Sequence, residues 1–255
     1  MLFDKWRKNR SHPSAYIIGY NNIYLQLLPL HTMAKDIDII EKKILGFKAR
    51  KLNLFTTSSF QTHSIVLLHI ISRIDNTIPV YFINTGYLFP KTIEYKDQIS
   101  DFFGLKIIDL VPTIPKHLQK DTEGNLLFSS NPDLCCHINK VLPLDNLLPK
   151  FDIWINGVRA DQTAIRSAMK EEENAPHGVI RYHPMLSWTK QEIYKYIKEF
   201  DLPRHPLDPL GYSSIGCEPC TRKPDLNFPD RNGRWFGQNK TECGLNTELV
   251  INHEK

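Results

Sequence analysis

The stretch Val80-Tyr81-Phe82-Ile83-Asn84-Thr85-Gly86 decides the fold class. It is a short, largely apolar run that ends at a Thr-Gly turn, the pattern of a buried strand running into a loop. Outward from it the same alternation repeats. Upstream, residues 61–74 read as a helix rich in Ile, Val and Leu on one side, preceded by a short strand over 52–57. Downstream, residues 90–103 read as a helix with Pro90 in its first turn and Gly104 as its stop. Residues 106–110 and 152–156 read as two further strands. Thr189-Lys190-Gln191-Glu192 is a capping box that opens an amphipathic helix ending near Phe200. Residues 36–48 carry helical apolar spacing through Ile37, Ile40 and Ile44. Strands alternating with helices of this length predict an α/β fold, built of βαβ units around a parallel sheet flanked by helices.

In such sheets ligands bind beyond the carboxyl ends of the strands. Three loops, over residues 57–64, 85–90 and 157–166, are expected to share one rim and to hold a nucleotide there. The plainer reading makes them polar connectors, because fold does not fix function. From Pro203 onward the alternation stops and Gly and Pro become frequent. The expected organisation is an N-terminal arm over 1–34, a nucleotide-binding α/β domain over 35–210, and a loop-rich cysteine region with a mobile tail over 211–255, part of the same domain.

A chain of 255 residues, 41% hydrophobic and 24% charged, can bury a sizeable core. That composition excludes extended disorder, a collagen-like repeat and a miniature disulfide scaffold. The net charge of +4 is too small and too scattered for a nucleic-acid footprint. It fits a basic pocket for a small anion, or simply a mixed solvated surface. No apolar run reaches the length of a membrane-spanning helix. The basic start (Lys5, Arg7, Lys8, Arg10) leads into a stretch broken by Gly19, Asn21, Asn22 and Gln26, which does not read as a signal peptide. Cytoplasm is the expected location, with neither nucleic acid nor membrane as partner.

The five cysteines are Cys135, Cys136, Cys217, Cys220 and Cys243. In a reducing compartment such clusters point to metal or catalysis more than to structural disulfides. Four thiolates are the usual ligand set of a [4Fe–4S] cluster or a structural zinc. Adjacent Cys135 and Cys136 fit one small tetrahedral ion awkwardly, whereas a cubane offers each thiolate its own iron. The geometry therefore favours iron–sulfur over zinc. A redox pair at Cys217 and Cys220, and buried small side chains at Cys135 and Cys136, are the bland alternatives. Cys243 lies in Lys240-Thr241-Glu242-Cys243-Gly244-Leu245, after Arg231-Asn232-Gly233-Arg234-Trp235. Nearby cations stabilise a thiolate, which makes it a candidate reactive thiol. An ordinary surface cysteine is the alternative. His63, His69, His117, His137, His177 and His205 have no metal-ligand spacing and read as surface or core residues. Phe102, Phe103 and Trp154 read as core.

Several segments together resemble the adenylyl-sulfate (APS) and phosphoadenylyl-sulfate (PAPS) reductase family. They are Ser58-Ser59-Phe60, residues 82–90, Cys135-Cys136 with Lys140, Trp154 to Arg159 with Asp161, Gln162 and Arg166, residues 183–188, residues 211–221, Gly233-Arg234-Trp235 and residues 240–245. The likeness covers about residues 50 to 246. It implies an adenine nucleotide α-hydrolase-like fold and reduction of APS to sulfite and AMP, or of PAPS to sulfite and PAP. It implies that Cys243 attacks the sulfate sulfur to form an S-sulfocysteine, which thioredoxin or glutaredoxin thiols resolve. Cys135, Cys136, Cys217 and Cys220 match the four ligands of the family's [4Fe–4S] cluster, and members carrying it mostly prefer APS. Ser58, Ser59, Phe60 and Ser64 fall in the first nucleotide loop, Thr85 and Gly86 in the second. Arg159, Arg166, Arg231, Arg234 and Lys240 are expected to bind phosphate and sulfate, Arg by paired contacts and Lys as a point charge. Lys140 is expected to link the cluster electrostatically to the substrate.

Three positions depart from the family pattern. Gln61 stands where Gly often follows the Phe, Asn139 where a basic residue often precedes the lysine, and Asn246 where His usually follows Cys-Gly-Leu. The reductant is expected to be a separate protein, and homo-oligomerisation is left open. The competing readings are a PAPS reductase, a nucleotide-activating sulfurtransferase acting on RNA, and a zinc-stabilised nucleotide-binding module without catalysis.

Overall fold

Inner strands of a parallel sheet are covered on both faces, so they read as continuous apolar runs. That is the character of β2 (Val80–Ile83), β4 (Ile153–Asn156) and the first half of β1 (Leu54–Ser58), whereas β3 (Ile107–Leu110) carries the exposed Asp109. The computed structural model describes residues 23–224, 230–238 and 240–249. With β5 (Glu172–Asn174) and β6 (Ile180–Tyr182), the strands form one sheet in the order β3-β2-β1-β4-β6-β5. Every neighbouring pair is parallel except β5 with β6. The expected parallel sheet flanked by helices is therefore the architecture found.

Alternate residues of the inner strands feed two cores. Leu54, Ile153 and Ile155 point to one face, where they pack with Phe82 and residues of the helices α1 (Ile23–Ala49), α2 (Ile65–Asp75) and α5 (Lys190–Glu199). Phe55 and Trp154 point to the other face, against Val141, Leu144, Leu147 and Leu148. Helix α2 buries seven consecutive residues, Ile65 to Ile71. It packs against α1, α5 and α3 (Pro90–Phe103), so a truncation such as Ile70→Ala costs about 2–5 kcal/mol. The one polar residue in that stretch, His69, is matched by the Tyr196 hydroxyl of α5 at 2.8 Å.

Local chemistry sets the ends of these helices. Pro90 opens α3, and Gly104 closes it in the left-handed region at φ 61°, where a side chain would be strained. Thr189 and Glu192 form the reciprocal capping box that starts α5. A further helical region, α4, runs over residues 132–145. Its α-turn Pro132–Cys136 passes into a π-helical turn, His137–Val141, before Leu142–Asp145. Cys135 and Cys136 are therefore helical, just before a π-turn of the kind that often marks functional sites.

Some elements differ from the sequence reading. Strands β5 and β6 were not expected: β5 reads Glu-Glu-Asn and carries no apolar signal, and β6 is only three residues long and interrupted by Arg181. Phe102 is 61% exposed rather than core, while Trp154 is 1% exposed and Phe103 packs at the core's edge. Residues 1–22 of the expected N-terminal arm lie outside the described residues, and α1 runs across the arm's far boundary. The segment bearing Cys243 is seated on the body, with Leu249 3% exposed in the Phe55–Trp154 cluster. Among the described residues no helix is long and apolar enough to cross a membrane.

Candidate active site

The sheet order reverses between β1 and β4, where Thr57 pairs with Asn156. A crevice opens at such a switch point, beyond the carboxyl ends of the strands. Here it is a cavity of about 610 Å³. All three loops expected on one rim contribute: Ser58, Ser59 and Ser64 from the first, Thr85 from the second, Gly157, Arg159 and Arg166 from the third. The C-terminal region supplies Ser213 to Cys217, Arg231, Arg234 and Cys243.

The loop after β1 is a network of short polar bonds. Phe60 N donates to Ser58 Oγ at 3.1 Å, and the Ser59 and Ser64 hydroxyls lie 2.9 Å apart. Phe60 holds φ at 51°, a conformation that costs a non-glycine residue roughly 1–2 kcal/mol. Its ring offsets that cost by burying fully against Phe82, 5.3 Å away edge-on. Phe60 thus shapes the loop from below and does not line the cavity. Gln61, at φ −74°, needs no glycine. Its side chain joins two walls instead, donating to Ser59 Oγ at 3.2 Å and accepting from Ile215 N at 2.8 Å. Gly86 also stays outside the cavity lining, with its carbonyl accepting from Lys116 Nζ at 3.3 Å.

Cations crowd one side of the cavity. Arg166 grips Glu242 with two bonds of 2.9 Å, from Nε and from Nη2. Arg231 Nη2 reaches the same carboxylate at 3.4 Å. Burial alone would raise the Glu242 pKa, but the bonds and charge of Arg166 and the charge of Arg231 outweigh it and hold the pKa at about 2. Burial, then the charge of Arg166, lowers Arg231 to about 10, still cationic at neutral pH. Arg234 lies 4.6 Å from the Trp235 ring and presses on Gly216, where a Cβ would come within 2.2 Å of its Nη2. The Nε atoms of Arg231 and Arg234 are buried without a partner among the described residues. Arg159 is spent differently, its Nε donating to Asp161 at 3.0 Å. Lys240 does not line the cavity: it pairs with Asp133 on α4.

Of the four other cysteines, Cys217 lines this cavity, and none carries a disulfide. Burial first, then the charges of Cys136, Cys217 and Cys220, pushes Cys135 up to about 12. Burial and Cys217 push Cys220 up to about 11, and burial raises Cys136. Each of the three feels the charge of Cys217. Lys140, half-buried on the π-turn, stands among them. Burial would lower its pKa, but charge on Cys217, Cys243 and Cys136 raises it. Asn139, one residue earlier, is a buried structural amide: it exchanges bonds with Gln119 and donates to the Cys135 carbonyl at 2.8 Å. Among the described residues no three His, Cys, Asp or Glu side chains stand close enough to grip a single metal ion. The donor chemistry still fits a thiophilic centre. Buried, mutually repelling sulfurs beside an ammonium become good ligands once a metal stabilises their thiolate forms.

Sequence reading passed over two cavity residues. Asn156, 5% exposed at the end of β4, has both amide atoms without a partner among the described residues. A polar residue closing an apolar strand was the available signal. Arg181, 1% exposed, is a charge inside β6, also visible as an Arg within an otherwise apolar run. His205 meets Thr92 at 3.0 Å in the core and His177 meets Asp145 at 3.0 Å at the surface, whereas His63 lines the cavity.

Comparison with known proteins gives this geometry a family. The model of the phosphoadenosine phosphosulfate reductase domain matches residues 53–223. The chain is 36% identical over 202 residues to adenosine 5'-phosphosulfate reductase of Bacillus cereus (strain Q1), covering 78% of this chain and 86% of that protein. It is 39% identical over 190 residues to the enzyme of the same name from Chelativorans sp. (strain BNC1), covering 74% and 77%. The crystal structure of phosphoadenylyl-sulfate (PAPS) reductase from Candida auris superposes with a TM-score of 0.59 at 23% identity, over 79% of this chain and 97% of that one. Candida glabrata FMN adenylyltransferase shares the fold, with a TM-score of 0.57 at 12% identity over 100% and 82%. With its switch-point cavity, its guanidinium wall and a matching model over most of its length, the chain belongs to the phosphoadenosine phosphosulfate reductase family, enzymes that reduce oxidised sulfur.

Proposed function

We propose that this protein reduces adenylyl sulfate to sulfite and AMP, using Cys243 as the nucleophile and a separate dithiol protein, thioredoxin or glutaredoxin, as the reductant. One observation carries the reading: Cys243 lines the same cavity as Arg166, Arg231, Arg234 and Lys140. A thiolate and a set of cations facing one space suit a substrate whose reacting sulfur is bonded to a phosphate. The relatives at 36–39% identity that carry the adenosine 5'-phosphosulfate reductase name support APS over its 3′-phosphorylated form.

The chemistry balances with these groups. The Cys243 thiolate attacks the sulfate sulfur, an S–S bond forms, and the S–O bond to AMP breaks. AMP departs with that oxygen and its electron pair, leaving Cys243 as S-sulfocysteine. A thiolate of the reductant then attacks Cys243 Sγ, sulfite leaves with the electron pair, and the second reductant thiol closes its own disulfide to return Cys243 as a thiol. The cations hold the phosphate and sulfate oxygens, most strongly where water is excluded. The two unpartnered amide atoms of Asn156 donate to and accept from the nucleotide.

Cys135, Cys136, Cys217 and Cys220 would hold a [4Fe–4S] cluster. When bound, it supplies a charged centre beside Lys140 and ties α4 to the loop around residue 217. The cytoplasm, where such a cluster and a dithiol reductant coexist, is the location this reading expects.

The deciding experiment compares wild type with Cys243→Ser for sulfite release from APS and from PAPS with thioredoxin and glutaredoxin. Loss of sulfite formation with retained nucleotide binding supports the reading. Undiminished turnover by the variant sinks it, and faster turnover of PAPS moves the substrate to the 3′-phosphorylated form. Iron, acid-labile sulfide and zinc are measured on the same anaerobic preparation. Stoichiometric zinc without sulfide replaces the cluster with a zinc site.

A further inference from the structure

Burying a guanidinium is costly unless its donors find partners. Arg181 is 1% exposed in the middle of β6, and its two terminal nitrogens donate to the segment around Cys243. Nη1 donates to the Leu245 carbonyl at 2.9 Å, and Nη2 donates to Asn246 Oδ1. Its guanidinium carbon lies over the Trp154 ring, 4.3 Å from the centroid, a cation–π contact. Its Nε is buried without a partner among the described residues, and the residue lines the cavity.

Asn246 completes a closed ring. Its Nδ2 donates to Glu242 Oε1 at 3.1 Å, and the same oxygen accepts the Cys243 N–H at 2.9 Å. Glu242 is in turn held by Arg166. One short amide thus spans from a cation of the sheet to the carboxylate beside the thiol, with an acceptor for the first and a donor for the second. Leu249 anchors the tail a few residues on through apolar packing, and Glu248 beside it bonds His137 at 2.6 Å.

We propose that Arg181 and Asn246 are positioning residues that latch the turn 242–246 shut and thereby aim Cys243 Sγ into the cavity. The proposal rests on the reading of Cys243 as the nucleophile. Neither residue touches the reacting sulfur. Their work is to reduce the number of directions the thiol can take, which sets the fraction of molecules ready to react.

The test measures alkylation of Cys243 by iodoacetamide, resolved by peptide mass, in the nucleotide-free full chain with its metal content intact. Steady-state kinetics with APS accompany it. Asn246→Ala is expected to raise the alkylation rate about tenfold, the loss of roughly one charge-assisted hydrogen bond. It lowers kcat by a similar factor with KM little changed. Arg181→Met behaves the same, Arg181→Lys restores part of the loss, and the double variant is no worse than either single one. Unchanged alkylation in Asn246→Ala overturns the latch, as do two single effects that multiply. If Arg181→Met does not fold, Asn246→Ala and Arg181→Lys decide the matter. If Cys243→Ser still forms sulfite, the nucleophile reading falls, whereas the alkylation rates still report on the latch.

Discussion

Arg166 holds both carboxylate oxygens of Glu242, Nε to Oε2 and Nη2 to Oε1, each at 2.9 Å. A cation that lines the cavity is thereby tied to the residue preceding Cys243. The pair joins the third loop of the sheet to the C-terminal turn, and Thr163 reinforces it through a 2.9 Å bond from its hydroxyl to Glu242 Oε2.

Glu242→Gln keeps the shape and removes the charge. With the carboxylate only 5% exposed, it leaves Arg166 and Arg231 without their counter-charge and costs about 3 kcal/mol. The wild-type carboxylate, lowered from 4.5 to about 2, contributes stability that is complete above pH 4.5 and lost as pH falls towards 2. Urea melts of both proteins across that range check this: the difference between them shrinks as the pH drops.

Asn156→Ala empties the end of β4 without disturbing a protein hydrogen bond, since neither amide atom has a partner among the described residues. Thermal stability is therefore expected to hold. KM for the nucleotide rises about tenfold, the worth of one to two hydrogen bonds to bound substrate. Equal KM values in the two proteins rule out a contact with the nucleotide.

Gly216→Ala tests the guanidinium wall through its neighbour. The added methyl meets the Arg234 guanidinium at 2.2–2.7 Å, so the side chain must move away. Arg234 ends in a flexible side chain, which makes the shift cheap for folding. Misplacing a substrate-facing charge by an ångström lowers kcat/KM by up to about 100-fold. Activity is expected to fall far more than the melting temperature.

Three histidines set the acid limit of the fold. Burial first lowers His69, His183 and His205 from 6.5 to about 4 each. They fold neutral, while the unfolded chain takes up protons below pH 6.5. Their contribution is complete above that value and declines as pH falls towards 4, by up to about 1.4 kcal/mol per pH unit for each histidine. Denaturant midpoints at pH 7, 6, 5 and 4.5 measure the slope. His69→Phe, which fills the same space but cannot hydrogen-bond to Tyr196, is expected to flatten it.

Fold and site differ in how far the sequence revealed them. Val80 to Gly86, the helix from Pro90 to Gly104 and the Thr189 capping box are local signals, because strand burial and helix caps are settled within a few residues. The α/β class and the shared rim of three loops followed from such signals. Strands of three residues are too short to show a period, and their pairing is a property of the sheet. What only the tertiary structure decided is how the candidate cations are shared out. Arg166 turns to Glu242, Arg159 to Asp161, Lys240 leaves the cavity for Asp133, and Arg181 enters it from β6. Sequence supplies the number of charges, but an ion pair forms between whichever groups the chain brings within a few ångströms. Glu242 and Arg166 are 76 residues apart, and Arg181 and Asn246 are 65 apart. No local pattern records those distances. They exist because the sheet order places β1, β4 and β6 side by side and the C-terminal turn closes over their ends.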